Sequence, residues 1–247
     1  MRAERILILG GTGEARGLAQ ALIDEGFPVV TSLAGVTASP HLPIGDVRRG
    51  GFGGETGLVK YISHENIRAI VDATHPYATQ ISRHAHAAAQ ATGIPYLRLE
   101  RPPWRAEAAD RWIDVASVAD AVAALPSGAR PFVTIGRKEI APFFARADLK
   151  GVARMIEQPG VAVPLGWALI QARPPFSLES EIQLLDAHRI THVVAKNSGG
   201  GLTRAKLVAA RERKIPVMMV ARPHKPSAPS FSTAEALASA LRQMLSP

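Results

Sequence analysis

Residues 6–17 read Ile-Leu-Ile-Leu-Gly-Gly-Thr-Gly-Glu-Ala-Arg-Gly, an apolar run that passes directly into a glycine-rich turn. An uninterrupted apolar run is typical of a strand that is buried on both faces of a parallel sheet. Residues 14–25 then repeat apolar side chains at helical spacing, and Gly26 ends the predicted helix. A second strand at 27–33 completes a unit of about 30 residues, the usual size of a βαβ unit. This segment therefore predicts an α/β fold.

The same alternation continues along the chain and predicts two Rossmann-like domains with mostly parallel sheets and an interdomain cleft. Further strands are predicted at 46–48, 69–72, 94–99, 110–115, 132–135, 152–156, 167–172, 191–195 and 215–220. Helices are predicted at 57–65, 77–92, 117–125, 178–187, 203–214 and 233–245. The turn-rich stretch at 126–131 interrupts the pattern, so we expect one domain at 1–126 and another at 127–247.

Composition and charge limit the classes of function. The chain has 247 residues, is 47% hydrophobic and carries a formal net charge of +8 without any cysteine. Disulfides, thiolate nucleophiles and cysteine-ligated metals are therefore excluded. We recognise no signal peptide and no apolar stretch of membrane length, so we expect a cytoplasmic protein without a membrane partner, and we expect a monomer. The basic residues are scattered without interleaved aromatic residues, which disfavours nucleic acid and favours an anionic small molecule.

The glycine-rich turn after the first strand is a candidate phosphate-binding loop. Glycines let backbone amides approach a pyrophosphate, and the N-terminus of the following helix adds partial positive charge. The spacing departs from G-x-G-x-x-G, because Arg16 occupies the sixth position counted from Gly11. We predict a nucleotide here, and a tight turn without a ligand is the alternative. The candidate cofactor-binding residues of this loop are Gly10, Gly11, Thr12, Gly13, Glu14 and Arg16.

The end of the second strand indicates which dinucleotide binds. Folds that prefer NAD place an acidic residue there to hold the ribose hydroxyls, whereas this strand ends without one. Ser32 and Arg16 can accommodate a 2′-phosphate, so NADPH is the predicted cofactor. Binding of the adenosine elsewhere is the alternative. The candidate residues of this segment are Ser32, Leu33, Ala34 and Gly35.

A third candidate is the segment Asp-Ala-Thr-His-Pro-Tyr-Ala at 72–78, directly after a predicted strand. We expect Thr74, His75 and Tyr77 to converge on one cleft. An imidazole or a phenol can donate a proton there, so His75 and Tyr77 are the candidate catalytic residues, and Thr74 is a candidate cofactor contact. A capping turn is the alternative, because Pro76 suits the first position of a helix.

Two basic loops follow strands in the second half of the chain and predict anion binding by side chains and free backbone amides. A solvated turn is the alternative for each loop. The candidate substrate-binding residues are Arg137 and Lys138 in one loop, and Lys196, Asn197, Ser198, Gly199, Gly200 and Lys206 in and after the other.

Several catalytic motifs are missing from the sequence. It contains no Tyr-x-x-x-Lys pair of the short-chain dehydrogenase type, no G-x-x-x-x-G-K-[ST] P-loop and no G-x-S-x-G elbow. His84 and His86 are two positions apart on a predicted helix and face different sides, and no acidic cluster is present, so no metal site is predicted.

Four segments together resemble the precorrin-6A reductase family of cobalamin biosynthesis. They are residues 8–15, 71–78, 99–104 and 195–200, and a fifth similar stretch runs from 215 to 223. The Asp-Ala-Thr-His-Pro segment is the most specific of them. The family often has an acidic residue where this chain has Asn197.

The resemblance implies an NADPH-dependent enzyme that reduces one double bond of precorrin-6A and gives precorrin-6B. The substrate would be an anionic tetrapyrrole-derived macrocycle, with NADPH on the domain at 1–126 and substrate contacts from the domain at 127–247. A reductase that acts on cobalt-precorrin-6A with NADH is one alternative. A methyltransferase that uses S-adenosylmethionine is another, although such enzymes have an acidic residue at the end of the second strand. A dinucleotide-sensing module is a third, and the basic loop at 196–206 argues against it.

Overall fold

The computed structural model describes residues 4–35 and 42–245. Its strands and helices alternate in chain order as β1 (Arg5–Leu9), α1 (Gly13–Asp24), β2 (Val29–Leu33), β3 (Asp46–Arg49), α2 (Gly54–His64), β4 (Ile67–Asp72), α3 (Thr79–Thr92), β5 (Tyr96–Leu99), β6 (Trp112–Val115), α4 (Val118–Ala124), β7 (Pro131–Val133), α5 (Ala141–Phe144), β8 (Val152–Met155), β9 (Ala168–Gln171), α6 (Leu178–Ala187), β10 (His192–Lys196), α7 (Ala205–Glu212), β11 (Val217–Val220), β12 (Ser230–Phe231) and α8 (Ala234–Leu245).

These elements form two parallel six-stranded sheets, in the orders β12-β5-β4-β1-β2-β3 and β6-β11-β10-β7-β8-β9. The predicted α/β class with parallel sheets is confirmed. Every long helix and strand of the prediction is present within a few residues of its expected ends, whereas the short α5 and β12 were not predicted. No helix among the described residues is long and apolar enough to span a membrane.

The division between the two units differs from the predicted boundary. The first unit runs to Pro102 and resumes at Pro223, and the second unit is Pro103–Arg222. The position 126/127 therefore lies inside the second unit. The reason is strand pairing: β6 pairs with β11 of the second sheet, while β12 pairs with β5 and adds the C-terminal segment to the first sheet.

The apolar run of β1 is explained by its position in the middle of the first sheet. Ile6 and Ile8 pack into a core that includes residues of α1 and α8. Leu7 and Leu9 point to the opposite face and pack with residues of α2 and α3. Because helices cover both faces of the sheet, each side chain from Ile6 to Leu9 is buried and apolar, whereas Arg5 at the start of the strand is half-buried.

Each sheet reverses its strand order at one point, which marks where a ligand is expected. In the first sheet, β2 and β3 extend to one side of β1, and β4 and β5 extend to the other. In the second sheet, the reversal lies between β7 and β10. Ligands of open parallel sheets bind outside the carboxyl ends of the strands at such switch points. The predicted site segments follow β1, β4, β7 and β10, so they lie at these two places.

Candidate functional site

The glycine-rich loop after β1 lies tightly against β2. The backbone N–H of Gly10 donates to the carbonyl oxygen of Ser32 at 2.9 Å. A Cβ atom added to Gly10 would lie 2.8 Å from the Cγ2 of Thr31, so a side chain does not fit there. Gly11 has a φ of +109°, which other residues rarely adopt. The loop geometry therefore requires the first two glycines.

Thr12 joins this loop to the helix and to the neighbouring strand. Its Oγ1 accepts a hydrogen bond from the N–H of Ala15 at 3.1 Å and thereby caps α1. The same hydroxyl donates to the carbonyl oxygen of Ala73 at 2.7 Å. The N-terminus of α1 is thus fixed at the switch point of the first sheet, where free backbone amides attract an anion.

Glu14 occupies the first turn of α1 and is held by Arg101, whose Nη1 donates to both carboxylate oxygens at 3.0 Å. Burial by itself raises the pKa of Glu14. Hydrogen bonds from its own backbone N–H and from Arg101 outweigh that effect and lower the pKa below its usual value. Glu14 is therefore a charged residue whose side chain already has a partner.

A cavity of about 260 Å³ opens beside this loop, close to the lower end of the size range for small-molecule sites. Its walls are Leu9, Gly10, Ser32, Ala34, the residues at 50–54, Thr74, Gln80, Ile81 and His84. Four predicted cofactor residues line it, namely Gly10, Ser32, Ala34 and Thr74.

Three further predicted cofactor residues are placed differently. Leu33 is buried, and its carbonyl oxygen accepts from the N–H of Gly50 at 2.9 Å. Gly35 is exposed and has a φ of +71°. The guanidinium of Arg16 lies beside Gly13, with its Nη2 3.7 Å from the place of an added Cβ on that glycine.

Arg48 at the end of β3 is a candidate that sequence reasoning missed. Its Nη1 donates to the Oγ of Ser32 at 2.9 Å and to the carbonyl oxygen of Gly50 at 3.0 Å. Its guanidinium also stacks on Phe52, 3.8 Å from the ring centroid. The available signal was an Arg-Arg pair followed directly by glycines. Arg48 therefore contacts three residues that line the cavity, namely Ser32, Gly50 and Phe52.

His75 and Tyr77 lie together in the turn before α3, and neither of them lines the cavity that Thr74 lines. The N–H of Tyr77 donates to the Nδ1 of His75 at 3.3 Å, and the two ring centroids are 5.6 Å apart. A neutral imidazole that accepts at Nδ1 carries its proton on Nε2. The N–H of Ala78 donates to the carbonyl oxygen of His75, and α3 begins only at Thr79, so Pro76 precedes the helix.

The buried carboxylate of Asp72 is hydrogen-bonded to Thr74 at the start of this turn. Asp72 is 2% exposed, and its two oxygens accept from the hydroxyls of Thr74 at 2.6 Å, Ser82 at 2.5 Å and Tyr96 at 2.9 Å. The Nζ of Lys225 lies 3.6 Å from the carboxylate. Burial by itself raises the pKa of Asp72, but Lys225 and the hydrogen bonds outweigh it and lower the pKa. No spacing or motif connects Lys225 with this segment in the sequence.

The basic loops of the second unit follow β7 and β10, which are neighbours at the switch point of its sheet, and two of their cations have acidic partners. Arg137 forms an ion pair with Glu157 at 3.0 Å. Lys196 forms an ion pair with Glu139, so this contact joins the loops after β7 and β10. Lys138 is exposed.

The loop after β10 is shaped by Trp104. The Oδ1 of Asn197 accepts from the backbone N–H of Trp104 at 2.8 Å, and its Nδ2 donates to the carbonyl oxygen of the same residue at 3.0 Å. The indole Nε1 donates to the carbonyl oxygen of Gly200 at 2.8 Å. Gly199 and Gly200 both have positive φ, and Ser198 is buried. Asn197 therefore fixes the loop conformation through its amide.

Lys206 is placed in the interior and not on the loop surface. It is 4% exposed, its Nζ donates to the carbonyl oxygen of Thr203 at 2.6 Å, and it lies over the ring of Trp104. Burial lowers the pKa of Lys206 to about 7; the nearby Arg154 acts in the same direction and Glu181 opposes them. The predicted role as an exposed anion contact does not match this position.

The fold and the two sites define an α/β protein of two parallel sheets with a candidate ligand site at the switch point of each sheet. The model of one family, described as Precorrin-6x reductase CbiJ/CobK, matches residues 5–242. The chain belongs to this family.

Individual relatives agree with the family match. The chain is 48% identical over 239 residues to a protein named precorrin-6A reductase from Rhodococcus erythropolis, covering 96% of each chain. It is 31% identical to a cobalt-precorrin-6A reductase from Priestia megaterium, covering 96% of this chain and 97% of the relative. A solved structure titled CobK precorrin-6A reductase superimposes with a TM-score of 0.91 at 42% identity, covering 98% of this chain and 97% of that one.

Proposed function

We propose that this chain reduces one double bond of precorrin-6A with NADPH and yields precorrin-6B in cobalamin biosynthesis. The observation that carries the proposal is the family match over residues 5–242. The cobalt-free substrate is favoured over its cobalt complex because identity is 48% to a relative named for the former and 31% to one named for the latter.

The residues at the first switch point fit a dinucleotide. There is no room for a Cβ at Gly10, and Gly11 adopts a positive φ. The loop therefore presents its backbone, without side chains at these two positions, to a ligand. A pyrophosphate would be held by backbone amides of this loop at the capped N-terminus of α1. The adjoining cavity would receive the adenosine between Ser32, the glycines at 50–54 and Ile81.

Arg48 supports NADPH over NADH. Its guanidinium donates to Ser32 and to the backbone carbonyls of Gly50 and Gly51, which all line the cavity, so its orientation is set before a ligand binds. Arginine matches the geometry of phosphate oxygens through two parallel N–H donors. We assign the 2′-phosphate to Arg48 and Ser32, whereas Arg16 at the loop would face the pyrophosphate.

Bound NADPH supplies a hydride, and reduction of a carbon–carbon double bond also requires one proton. The Nε2–H of His75 and the phenol of Tyr77 lie in the same turn, and either group can deliver that proton to the macrocycle. At the second switch point, Arg137, Lys138 and Lys196 would bind substrate carboxylates. A substrate carboxylate would then replace Glu157 as the partner of Arg137, and another would replace Glu139 as the partner of Lys196.

The test is anaerobic turnover of precorrin-6A and, separately, of cobalt-precorrin-6A, each with NADPH and with NADH. We expect fastest turnover with precorrin-6A and NADPH. Arg48→Leu should raise the KM for NADPH about 10- to 100-fold, the worth of a charged hydrogen bond, and leave the KM for NADH unchanged.

The matched control is Arg49→Leu, which removes the adjacent exposed arginine. The proposal fails if neither dinucleotide binds, and binding of S-adenosylmethionine in their place would establish the methyltransferase alternative. Turnover of cobalt-precorrin-6A without turnover of precorrin-6A would instead establish the cobalt-precorrin-6A reductase alternative.

A further inference from the structure

The hydroxyl of Thr74 has a fixed direction in this structure. A hydroxyl carries one hydrogen and two lone pairs. Asp72 is buried and has a lowered pKa, so its carboxylate is ionised and can only accept. The Oγ1 of Thr74 lies 2.6 Å from its Oδ1, and the single hydrogen of Thr74 is therefore directed at Asp72.

Other groups hold Asp72 in place for this contact. The backbone N–H of Thr74 donates to the same Oδ1 at 3.0 Å, while Ser82 and Tyr96 donate to Oδ2. Burial and the neighbouring Asp72 raise the pKa of Tyr96, so its phenol keeps its proton and remains a donor. The carboxylate cannot turn away from Thr74 without leaving hydrogen-bond donors in the interior unsatisfied.

Lys225 completes the arrangement from a distant part of the chain. Its side chain is 4% exposed, and its Nζ lies 3.6 Å from Asp72 and 3.5 Å from the Oγ1 of Thr74. It belongs to the segment that returns to the first unit after Pro223. Lys225 balances the buried charge and donates to one lone pair of the Thr74 oxygen, which leaves the other lone pair for a ligand in the cavity that Thr74 lines.

We propose that Asp72 and Lys225 fix the Thr74 hydroxyl as a hydrogen-bond acceptor for a donor group of the bound dinucleotide. Lys225 is then a positioning residue of the cofactor site. This inference rests on the proposed dinucleotide site. The donor is the carboxamide N–H of the nicotinamide, the amine of the adenine or a ribose hydroxyl, since these three groups can donate, whereas phosphate oxygens cannot.

The first experiment measures the dissociation constant of NADPH by its fluorescence. Thr74→Val removes the acceptor at constant shape and should weaken binding about fivefold, as expected for one neutral hydrogen bond. Thr74→Ser keeps the hydroxyl and should bind within about twofold of the native chain. Thr92→Val is the control, because that hydroxyl donates to the carbonyl oxygen of Ala88 inside α3.

A second arm identifies the donor by repeating the titrations with the acetylpyridine analogue of NADP, which lacks the carboxamide N–H. If the carboxamide donates, Thr74→Val no longer affects binding of the analogue. If a ribose hydroxyl or the adenine amine donates, the fivefold loss persists. Unchanged NADPH affinity in Thr74→Val overturns the inference and leaves the proposed function intact, because the Arg48 comparison tests that function separately. Absence of NADPH binding to the native chain overturns both.

The positioning role of Lys225 is tested by non-additivity. Lys225→Met should weaken NADPH binding in the native background and add almost nothing in the Thr74→Val background, and Lys225→Arg should restore part of the loss. A purely structural role gives the same loss in both backgrounds. If Lys225→Met does not fold, Lys225→Arg combined with Thr74→Val supplies the same comparison, and additive losses there refute the role.

Discussion

The two switch points of this molecule carry charge in different ways. In the first unit, the loops after β1 and β4 present glycines, backbone amides and hydroxyls, and the carboxylate of Asp72 is buried beneath them. In the second unit, the loops after β7 and β10 present the side chains of Arg137, Lys138 and Lys196. A backbone cradle has one fixed shape, whereas side-chain ion pairs can exchange partners. The first suits one constant cofactor, and the second suits a substrate with several carboxylates.

The buried carboxylates Asp72 in the first unit and Glu181 in the second differ in how many hydrogen bonds they accept. Asp72 accepts four hydrogen bonds in addition to the nearby Lys225. Glu181 is equally buried, but only its Oε1 is bonded, to the Nη2 of Arg154 at 2.6 Å, and its Oε2 has no hydrogen-bond partner among the described residues. Both oxygens of Asp72 are therefore hydrogen-bonded, whereas only one oxygen of Glu181 is.

The largest expected effect comes from breaking the buried pair of the second unit. Arg154→Met leaves Glu181 charged and buried, and we expect the free energy of unfolding to fall by about 3–5 kcal/mol. Replacing both residues with Met and Leu should recover most of that loss, because neither charge of the pair remains. Denaturant unfolding measures both variants. Equal losses in the single and double variants would mean that packing, and not the unpaired charge, sets the cost.

The next effect depends on pH. Burial lowers the pKa of Lys206 to about 7, whereas an unfolded chain titrates lysine near pH ~10.4. Above about pH 7 the unfolded state therefore binds more protons, and stability rises with pH; below it the full cost of the buried ammonium is present. Between about pH 7 and pH 9, the unfolding free energy should rise by up to about 1 kcal/mol per pH unit relative to Lys206→Met. Parallel curves for the two proteins would contradict this.

The fixed shape of the glycine-rich loop after β1 is tested by adding one methyl group at Gly10. Gly10→Ala places a Cβ 2.8 Å from the Cγ2 of Thr31, and we expect a loss of about 1–3 kcal/mol in stability and at least about tenfold weaker NADPH binding. Gly17→Ala in α1 is the matched control, since nothing lies within 4 Å of its added Cβ. That variant should gain about 0.5–1 kcal/mol from helix propensity and bind normally. Equal affinities in the two variants would show that the loop adjusts.

The sequence predicted the fold well because its signals are local. The apolar run of β1, the glycine-rich turn after it and the glycine at the end of the predicted helix all lie within residues 6–26. The domain boundary was not predictable in this way. Trp112–Val115 reads as one more strand after β5, and only its pairing with β11 far along the chain assigns it to the second sheet.

The candidate sites were predicted in part for the same reason. Gly10 and Thr74 directly follow strands, so the carboxyl-end rule identified them. Arg48 reaches Ser32 only because β3 pairs with β2 in register, Ser32 opposite Arg48. Lys225 reaches Asp72 across 153 positions, which no spacing rule encodes. Lys206 was misplaced because helical position alone does not reveal that Trp104 covers it.

The smallest expected effect tests whether the cations of the second unit exchange partners. Lys196→Met should raise the KM for the tetrapyrrole about tenfold by removing one charged contact. Glu139→Gln should lower that KM about twofold to threefold, because the substrate carboxylate no longer competes with an acidic partner. Lys60→Met removes an exposed charge from the first unit and is the control. Opposite changes in KM for Lys196→Met and Glu139→Gln would indicate an ion pair that exchanges partners. If the pair were purely structural, both substitutions would raise the KM.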